Sequence, residues 1–102
     1  MNRKILKITN KYKKILEDFG VPVQNIFIFG SYAKGTENRW SDLDVGIVSP
    51  MFGVDRISER VFLMRIRDAE TSIIEPHPIS VKDFNDKFNP LSLEIKKTGI
   101  AV

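Results

Sequence analysis

The stretch from Gly30 to Asp44 contains the residues whose types and spacing could carry chemistry. Gly30-Ser31 follows a short apolar run, and Gly35 closes the segment that Ser31 opens. Gly30 has no side chain, so a ligand can approach the backbone closely at this point. The free N–H groups of a turn that begins at Ser31, together with its hydroxyl group, form the arrangement that binds a phosphate. This segment therefore predicts a phosphate-binding turn.

Two carboxylates, Asp42 and Asp44, follow this turn. Because residues two apart on a β-strand project from the same face, the carboxylates should lie side by side. The apolar residues Leu43, Val45 and Ile47 should then be buried on the opposite face. Neighbouring carboxylates repel unless a proton or a cation lies between them, and Mg²⁺ prefers oxygen ligands with substrate phosphates nearby. The combination indicates metal-dependent chemistry on a nucleoside triphosphate.

Helices and strands alternate along the chain and must position these groups. The apolar spacing from Ile5 to Phe19 predicts a first helix that stops at Gly20. Further helices are predicted from Asp55 or Ser58, as a short turn after Ser80, and at 91–97. Strands are predicted at 25–29, 42–48, 71–75 and 100–102, the third of them closed by Pro76-His77-Pro78. The alternation predicts an α/β layer structure with a small sheet.

The helix that starts at Asp55 or Ser58 combines apolar and basic residues. Ile57, Val61 and Met64 are among its apolar positions. Its charged residues are interpreted as solvated; they include Arg56, Glu59, Arg60, Arg65 and Arg67.

This motif resembles the signature of the DNA polymerase β-type nucleotidyltransferase superfamily: Gly30-Ser31, then ten residues, then Asp42-x-Asp44. The length of 102 residues and the strand at 41–48 are most similar to its minimal nucleotidyltransferases. In bacteria and archaea, these are typically paired with a HEPN-domain protein in a toxin–antitoxin module. The resemblance implies a single minimal nucleotidyltransferase domain over residues 1–102. Its fold would be α/β (α+β), with a small mixed β-sheet and helices packed against it.

The resemblance also implies roles for the site residues. Asp42 and Asp44 would hold two Mg²⁺ ions. A third carboxylate on a later strand would complete the metal site or take the proton of the acceptor hydroxyl. Glu75 is the best candidate for it, with a longer side chain than the Asp of many members, and Asp83 is a weaker one. The nucleotide would be bound by Gly30, Ser31, Gly35 and Ser41.

The implied reaction is the transfer of AMP from ATP to a hydroxyl group, with loss of pyrophosphate. Because 102 residues leave no space for an acceptor-binding domain, a partner protein is expected to supply the acceptor. The resemblance implies a tyrosine of a HEPN toxin, which would make this chain its antitoxin. Three alternatives stay open. One is a catalytically silent module that neutralises its partner by contact, and another is a nucleotidyltransferase acting on a small molecule or a nucleic acid. The third is a nucleic-acid-binding protein that uses the lysines of the first helix.

Other residues near the motif are given structural interpretations. His77 is expected to be a packed or hydrogen-bonded residue at a strand end, although alternation places it on the same side as Glu75. Lys34 and Arg39 lie between the two halves of the motif, where contact with a triphosphate and simple solvation are equally compatible with the sequence. Trp40 is interpreted as a hydrophobic plug for its loop.

Composition and charge exclude several classes of protein. The chain has no cysteine and one histidine, which excludes a disulfide scaffold, a thiol nucleophile and thiolate or His-rich metal sites. Without a long apolar stretch, neither a membrane span nor a signal peptide is expected, and a cytoplasmic protein is predicted. The net charge is +3, but six of the 16 basic residues lie within the first 14 positions. The remainder is net acidic, which argues against a nucleic acid as the direct partner.

Overall fold

The computed structural model describes residues 2–102 and contains a four-stranded sheet in the order β3-β2-β1-β4. The strands are β1 (Asn25–Phe29), β2 (Leu43–Val48), β3 (Ile74–Ile79) and β4 (Ile100–Ala101). β1 is antiparallel to β2 and β4, whereas β3 is parallel to β2. The helices are α1 (Arg3–Asp18), α2 (Ser31–Lys34), α3 (Arg56–Arg65), α4 (Val81–Asn85) and α5 (Pro90–Thr98). The predicted α/β fold with a small mixed sheet is confirmed.

The sheet is covered on both faces. Leu43 and Val45 of β2 pack on one side in a cluster that includes buried residues of α1 and α3. On the other side, Phe29 and Ile79 pack with Ile95 of α5. β1 contributes to both clusters, which confirms the prediction that it is covered on both faces. Because successive side chains alternate, the residue between Leu43 and Val45 faces the side of α5.

The longest helix, α1, is capped by one side-chain hydrogen bond and joined to α3 by another. The Asn2 side chain caps it by accepting a bond from the Lys4 N–H group, and the helix ends at Asp18. Tyr12 is fully buried, and its hydroxyl donates to the Leu63 carbonyl in the last turn of α3 at 2.8 Å. Burial raises the pKa of the Tyr12 hydroxyl. Because the last carbonyls of a helix lack partners within the helix, this bond satisfies one of them and joins α1 to α3.

The basic surface of α1 is partly neutralised. Lys11 Nζ lies 2.9 Å from a carboxylate oxygen of Asp68 and 2.8 Å from one of Glu70. These two acids raise the pKa of Lys11. Lys14 pairs with Asp18 one turn further along the helix. Neither α1 nor any other helix within residues 2–102 is long and apolar enough to span a membrane.

The third strand contains the two prolines that were predicted to end it. The predicted strand at 71–75 is wrong in its bounds, because 71–73 form a turn and β3 continues through Pro76 and Pro78. β3 lies at the edge of the sheet. The carbonyls of Ile73 and Ile79 accept hydrogen bonds from the β2 side, so the even-numbered residues between them direct their backbone groups to the open edge. Proline, which has no N–H group, is tolerated there.

Helix α3 is anchored at both ends by side chains. It begins after Asp55, whose carboxylate accepts a bond from the Ser58 N–H group. Arg67 follows the helix and was predicted to be solvated, but its guanidinium donates to the carbonyls of Met64 and Ile74 at 2.9 and 2.8 Å. The five donors of an arginine allow one side chain to satisfy several carbonyls. Arg67 therefore joins the end of α3 to the start of β3.

Candidate functional site

Asp44 and Glu75 face each other on neighbouring strands. Asp44 of β2 is the register partner of Glu75 of β3, and Phe29 of β1 is its partner on the other side. His77 lies two residues beyond Glu75 and therefore on the same face. One ligand atom from each of Asp44, Glu75 and His77 lies within 4.8 Å of the others. Two parallel strands thus bring two carboxylates and an imidazole together.

His77 contacts Asp44 directly. Its Nε2 lies 3.1 Å from Asp44 Oδ1, and its ring packs edge-on against Phe29 with 4.9 Å between the ring centroids. His77 is packed and hydrogen-bonded, but it lies within β3 and not at the predicted strand end, and its hydrogen-bond partner is the motif aspartate. The two-residue spacing from Glu75 was the only signal in the sequence that could have indicated this contact.

The environment of Asp44 disfavours its charge. Burial raises the pKa of Asp44, the His77 hydrogen bond lowers it in part, and the nearby Glu75 carboxylate raises it further. The net effect is a raised pKa. An added cation would reverse this balance, because it would stabilise the ionised form of both carboxylates.

Gly30 lies directly against Asp44. It ends β1 with a φ of +70°, a conformation that residues with a side chain rarely adopt. A Cβ atom at this position would lie 2.4 Å from Asp44 Oδ2. Glycine at this position therefore permits both the positive φ of the turn and the close approach of the Asp44 carboxylate to the backbone. The sequence predicted the close approach of a ligand to the Gly30 backbone, whereas the group that the structure places there is the Asp44 carboxylate.

The turn after Gly30 forms the single helical turn α2. Within residues 2–102, the N–H groups of Ser31 and Tyr32 donate to no backbone carbonyl, whereas those of Ala33 and Lys34 donate to the Gly30 carbonyl. Gly35 ends α2 in the left-handed conformation, and its N–H group donates to the Ser31 carbonyl. Ser31 and Gly35 thus occupy the start and the end of one turn beside Asp44.

The loop between the two halves of the motif is closed by Ser41. Its hydroxyl accepts a bond from the Asn38 N–H group at 3.0 Å. Trp40 is 78% exposed with the Arg39 guanidinium over its ring, so its interpretation as a hydrophobic plug is wrong. The loop is held by hydrogen bonds of Asn38 with Ser41 and with the Trp40 N–H group, which need no apolar plug. Asp42 follows Ser41, precedes β2 and is exposed, and it lies outside the group formed by the strand carboxylates.

Two basic residues near the site are paired with acids. Arg60 of α3 was predicted to be solvated, but its guanidinium contacts the Glu75 carboxylate at 2.5 Å. Lys34 lies 3.7 Å from Glu94 of α5. The Arg60 pair depends on α3 packing beside β3, a contact that no local pattern in the sequence reports.

The donor set at the two strands fits a divalent cation. Asp44 and Glu75 offer carboxylate oxygens, which Mg²⁺ and Mn²⁺ prefer, and His77 adds an imidazole nitrogen, a ligand that suits transition metals such as Zn²⁺ and Fe²⁺. Asp42, predicted to stand beside Asp44 on one strand, lies outside β2, so strand alternation does not place its side chain on the face of Asp44. The two strands therefore present two carboxylates and one imidazole at this end of the sheet.

The model of the family described as "Nucleotidyltransferase domain" matches residues 9–98. The chain belongs to this family. The match includes β1, the Gly30 turn, β2 and β3, and so contains every element that contributes to the site.

The chain is similar to a protein adenylyltransferase and to solved toxin–antitoxin structures. Over 40 residues the chain is 42% identical to the protein adenylyltransferase MntA of Shewanella oneidensis, a match covering 39% of this chain and 29% of that protein. A crystal structure of a toxin–antitoxin with AMP-PNP superposes with a TM-score of 0.64 at 26% identity and covers 90% of this chain and 69% of that one. The structure of a tri-AMPylated HEPN toxin of Shewanella oneidensis in complex with its MNT antitoxin shares the fold, with a TM-score of 0.60 and 20% identity over 95% of this chain and 70% of that one. The chain thus matches less than a third of the length of the curated relative.

Proposed function

We propose that this chain is a metal-dependent nucleotidyltransferase that transfers AMP from ATP to a hydroxyl group of a partner protein. The partner is a HEPN toxin, the acceptor is one of its tyrosines, and the transfer makes this chain its antitoxin. The observation that carries the proposal is the register pairing of Asp44 with Glu75 beside the Gly30 turn, in a chain of the nucleotidyltransferase family.

The relatives support the choice of nucleotide and of acceptor. A similar structure contains AMP-PNP, the curated relative is a protein adenylyltransferase, and a HEPN toxin complex with the same fold carries AMP groups. The shared fold extends over nearly the whole of this chain. A protein acceptor is therefore favoured over a small molecule or a nucleic acid.

Each site residue has a task in this reaction. The backbone N–H groups of Ser31 and Tyr32 and the Ser31 hydroxyl would bind the phosphates. Asp44 and Glu75 would hold the metal, together with Asp42 from the segment just before β2. Two bound Mg²⁺ ions would supply charge neutralisation of the triphosphate and a lowered pKa of the acceptor hydroxyl. The acceptor oxygen forms a bond to the α-phosphorus, the bond to the bridging oxygen breaks and pyrophosphate leaves. The hydroxyl proton passes to Glu75 or to water.

A transfer assay with ATP labelled at the α-phosphate and the HEPN toxin tests the proposal. Wild type should label the toxin when Mg²⁺ or Mn²⁺ is present and not when EDTA is added. Asp44→Asn should reduce labelling by about 100-fold or more, because a ligand of the reacting centre is lost. Asp83, the weaker candidate for the third carboxylate, lies in α4 outside the group of Asp44, Glu75 and His77, so Asp83→Asn is the matched control and should label as wild type does. Absence of labelling by folded wild type would contradict the proposal.

The second candidate, a silent binding module, is favoured by one observation. Both strand carboxylates already have partners, Arg60 for Glu75 and His77 for Asp44, so the site is satisfied without a cation. Neutralisation of the toxin in cells distinguishes the candidates. Full neutralisation by Asp44→Asn would favour the binding module, whereas its loss, with the variant protein folded, would favour the transferase.

A further inference from the structure

Helix α3 exposes an apolar stripe. Ile57, Val61 and Met64 are 78%, 40% and 39% exposed. Their spacing of four and three residues places them on one face of the helix, opposite the side that buries Leu63. Scattered exposed apolar residues are ordinary, but three that adjoin on one helix face form a patch of the kind that binds a partner. We call Ile57, Val61 and Met64 the α3 stripe.

The charges that border the α3 stripe are all positive. Arg60 and Arg65 flank it on the two sides, and Arg56 precedes it. Because Arg60 is paired with Glu75, the net positive charge of the rim comes from Arg56 and Arg65. The only acid within α3 is Glu59, and its carboxylate accepts bonds from the N–H groups of the loop at 53–55. The stripe therefore offers an apolar centre with a cationic rim.

Arg60 connects the α3 stripe to the candidate site. α3 packs on the face of the sheet opposite to Asp44, and Arg60, on the rim of the stripe, reaches past the edge strand β3 to pair with the Glu75 carboxylate. A protein seated on the stripe would therefore lie against the edge of the sheet that carries Glu75, from where its hydroxyl group could reach the nucleotide.

We infer that the α3 stripe is the docking surface for an amphipathic helix with acidic flanks, carried by the protein that accepts the nucleotide. This inference rests on the proposed function and names the surface by which the acceptor is held. Charge complementarity selects an acidic partner, because a second copy of the stripe would bring arginines against arginines. The three exposed side chains follow the four- and three-residue spacing of a helix face, a pattern that fits the apolar stripe of a partner helix.

Binding of the HEPN toxin, measured by calorimetry without ATP, tests the docking surface. Ile57→Asp and Val61→Asp should each weaken binding about tenfold or more, because a carboxylate would be desolvated against an acidic helix. Phe88→Asp is the matched control, since Phe88 is as exposed as Ile57 but lies outside the stripe. Arg65→Glu should weaken binding and reduce its salt dependence, whereas Lys97→Glu should do neither.

Four outcomes would overturn the docking surface. The first two concern the toxin: folded Val61→Asp binds it with wild-type affinity, or the wild type does not bind it at all. The other two concern different occupants: the wild type associates with itself, or it binds anionic phospholipid vesicles, and Val61→Asp abolishes that association or binding. Asp44→Asn separates this inference from the proposed reaction, because it should bind the toxin as wild type does while failing to label it. Intact binding with no labelling by wild type would contradict the reaction and leave the docking surface supported.

Discussion

Asp44 and Glu75 are register partners on two parallel strands, and Asp44 is also held by His77 from the same strand as Glu75. This pairing follows from the position of β2 between β1 and β3. β1 delivers Gly30 to one side of Asp44, and β3 delivers Glu75 and His77 to the other. The site therefore depends on a sheet register in which a shift of one residue would turn Asp44 towards the opposite face.

Asp44→Asn should stabilise the metal-free protein near neutral pH. The pKa of Asp44 is raised in the folded state, so its ionised form is disfavoured there relative to the unfolded chain. The resulting loss of stability appears as the pH rises from the unfolded pKa to the folded pKa, and asparagine, which is neutral and keeps an oxygen for His77, avoids it. Thermal melts in EDTA should show a higher Tm for the variant, with the difference shrinking as the pH falls. A lower Tm than that of Asp83→Asn would contradict this prediction.

Gly30→Ala should damage both the fold and the site. The added Cβ would lie 2.4 Å from Asp44 Oδ2 at a φ of +70°, so the carboxylate must move. Strain of this backbone type costs about 1–3 kcal/mol. Gly20→Ala is the control, because Gly20 has a φ of +81° with no atom within 4 Å of the added Cβ. Both variants should lose stability in urea, but only Gly30→Ala should also lose divalent-cation binding.

Local patterns predicted most of the fold and the centre of the site. The first two strands and the Gly30 turn were predicted because a short apolar run, a glycine and an alternating strand are signals carried by adjacent residues. The extent of β3 was missed, since proline usually ends a strand and only the edge position permits Pro76 and Pro78.

Contacts between distant segments could not be predicted from the same patterns. Arg60 and Arg67 have the sequence pattern of solvated residues. In the structure, Arg60 contacts the Glu75 carboxylate, and Arg67 donates to the carbonyls of Ser72 and Ile74 at the start of β3. Their partners are fixed by the packing of α3 beside β3, which periodicity does not encode. The exposure of Trp40 was missed for a related reason, because its loop is held by polar bonds and needs no apolar plug.

Arg60→Gln should tighten the binding of Mn²⁺. The guanidinium of Arg60 neutralises the Glu75 carboxylate and competes with a divalent cation for it. The pair is partly exposed, so its removal should cost the fold no more than about 1 kcal/mol. Mn²⁺ titration followed by electron paramagnetic resonance should give a several-fold lower Kd, and the exposed Arg65→Gln on the same helix should leave the Kd near that of wild type. Weaker binding in Arg60→Gln would instead make Arg60 the residue that positions Glu75.

Tyr12→Phe should destabilise the fold without altering the chemistry of the site. The hydroxyl of this fully buried residue donates to the Leu63 carbonyl, and phenylalanine would leave that carbonyl without its bond in the interior. An unsatisfied buried group costs about 1–3 kcal/mol. Urea denaturation should show a lower midpoint with an unchanged m-value, because the surface exposed on unfolding is the same. Divalent-cation affinity should match that of wild type, since α1 lies on the face of the sheet opposite to Asp44 and Glu75; a change in affinity with unaltered stability would contradict this assignment.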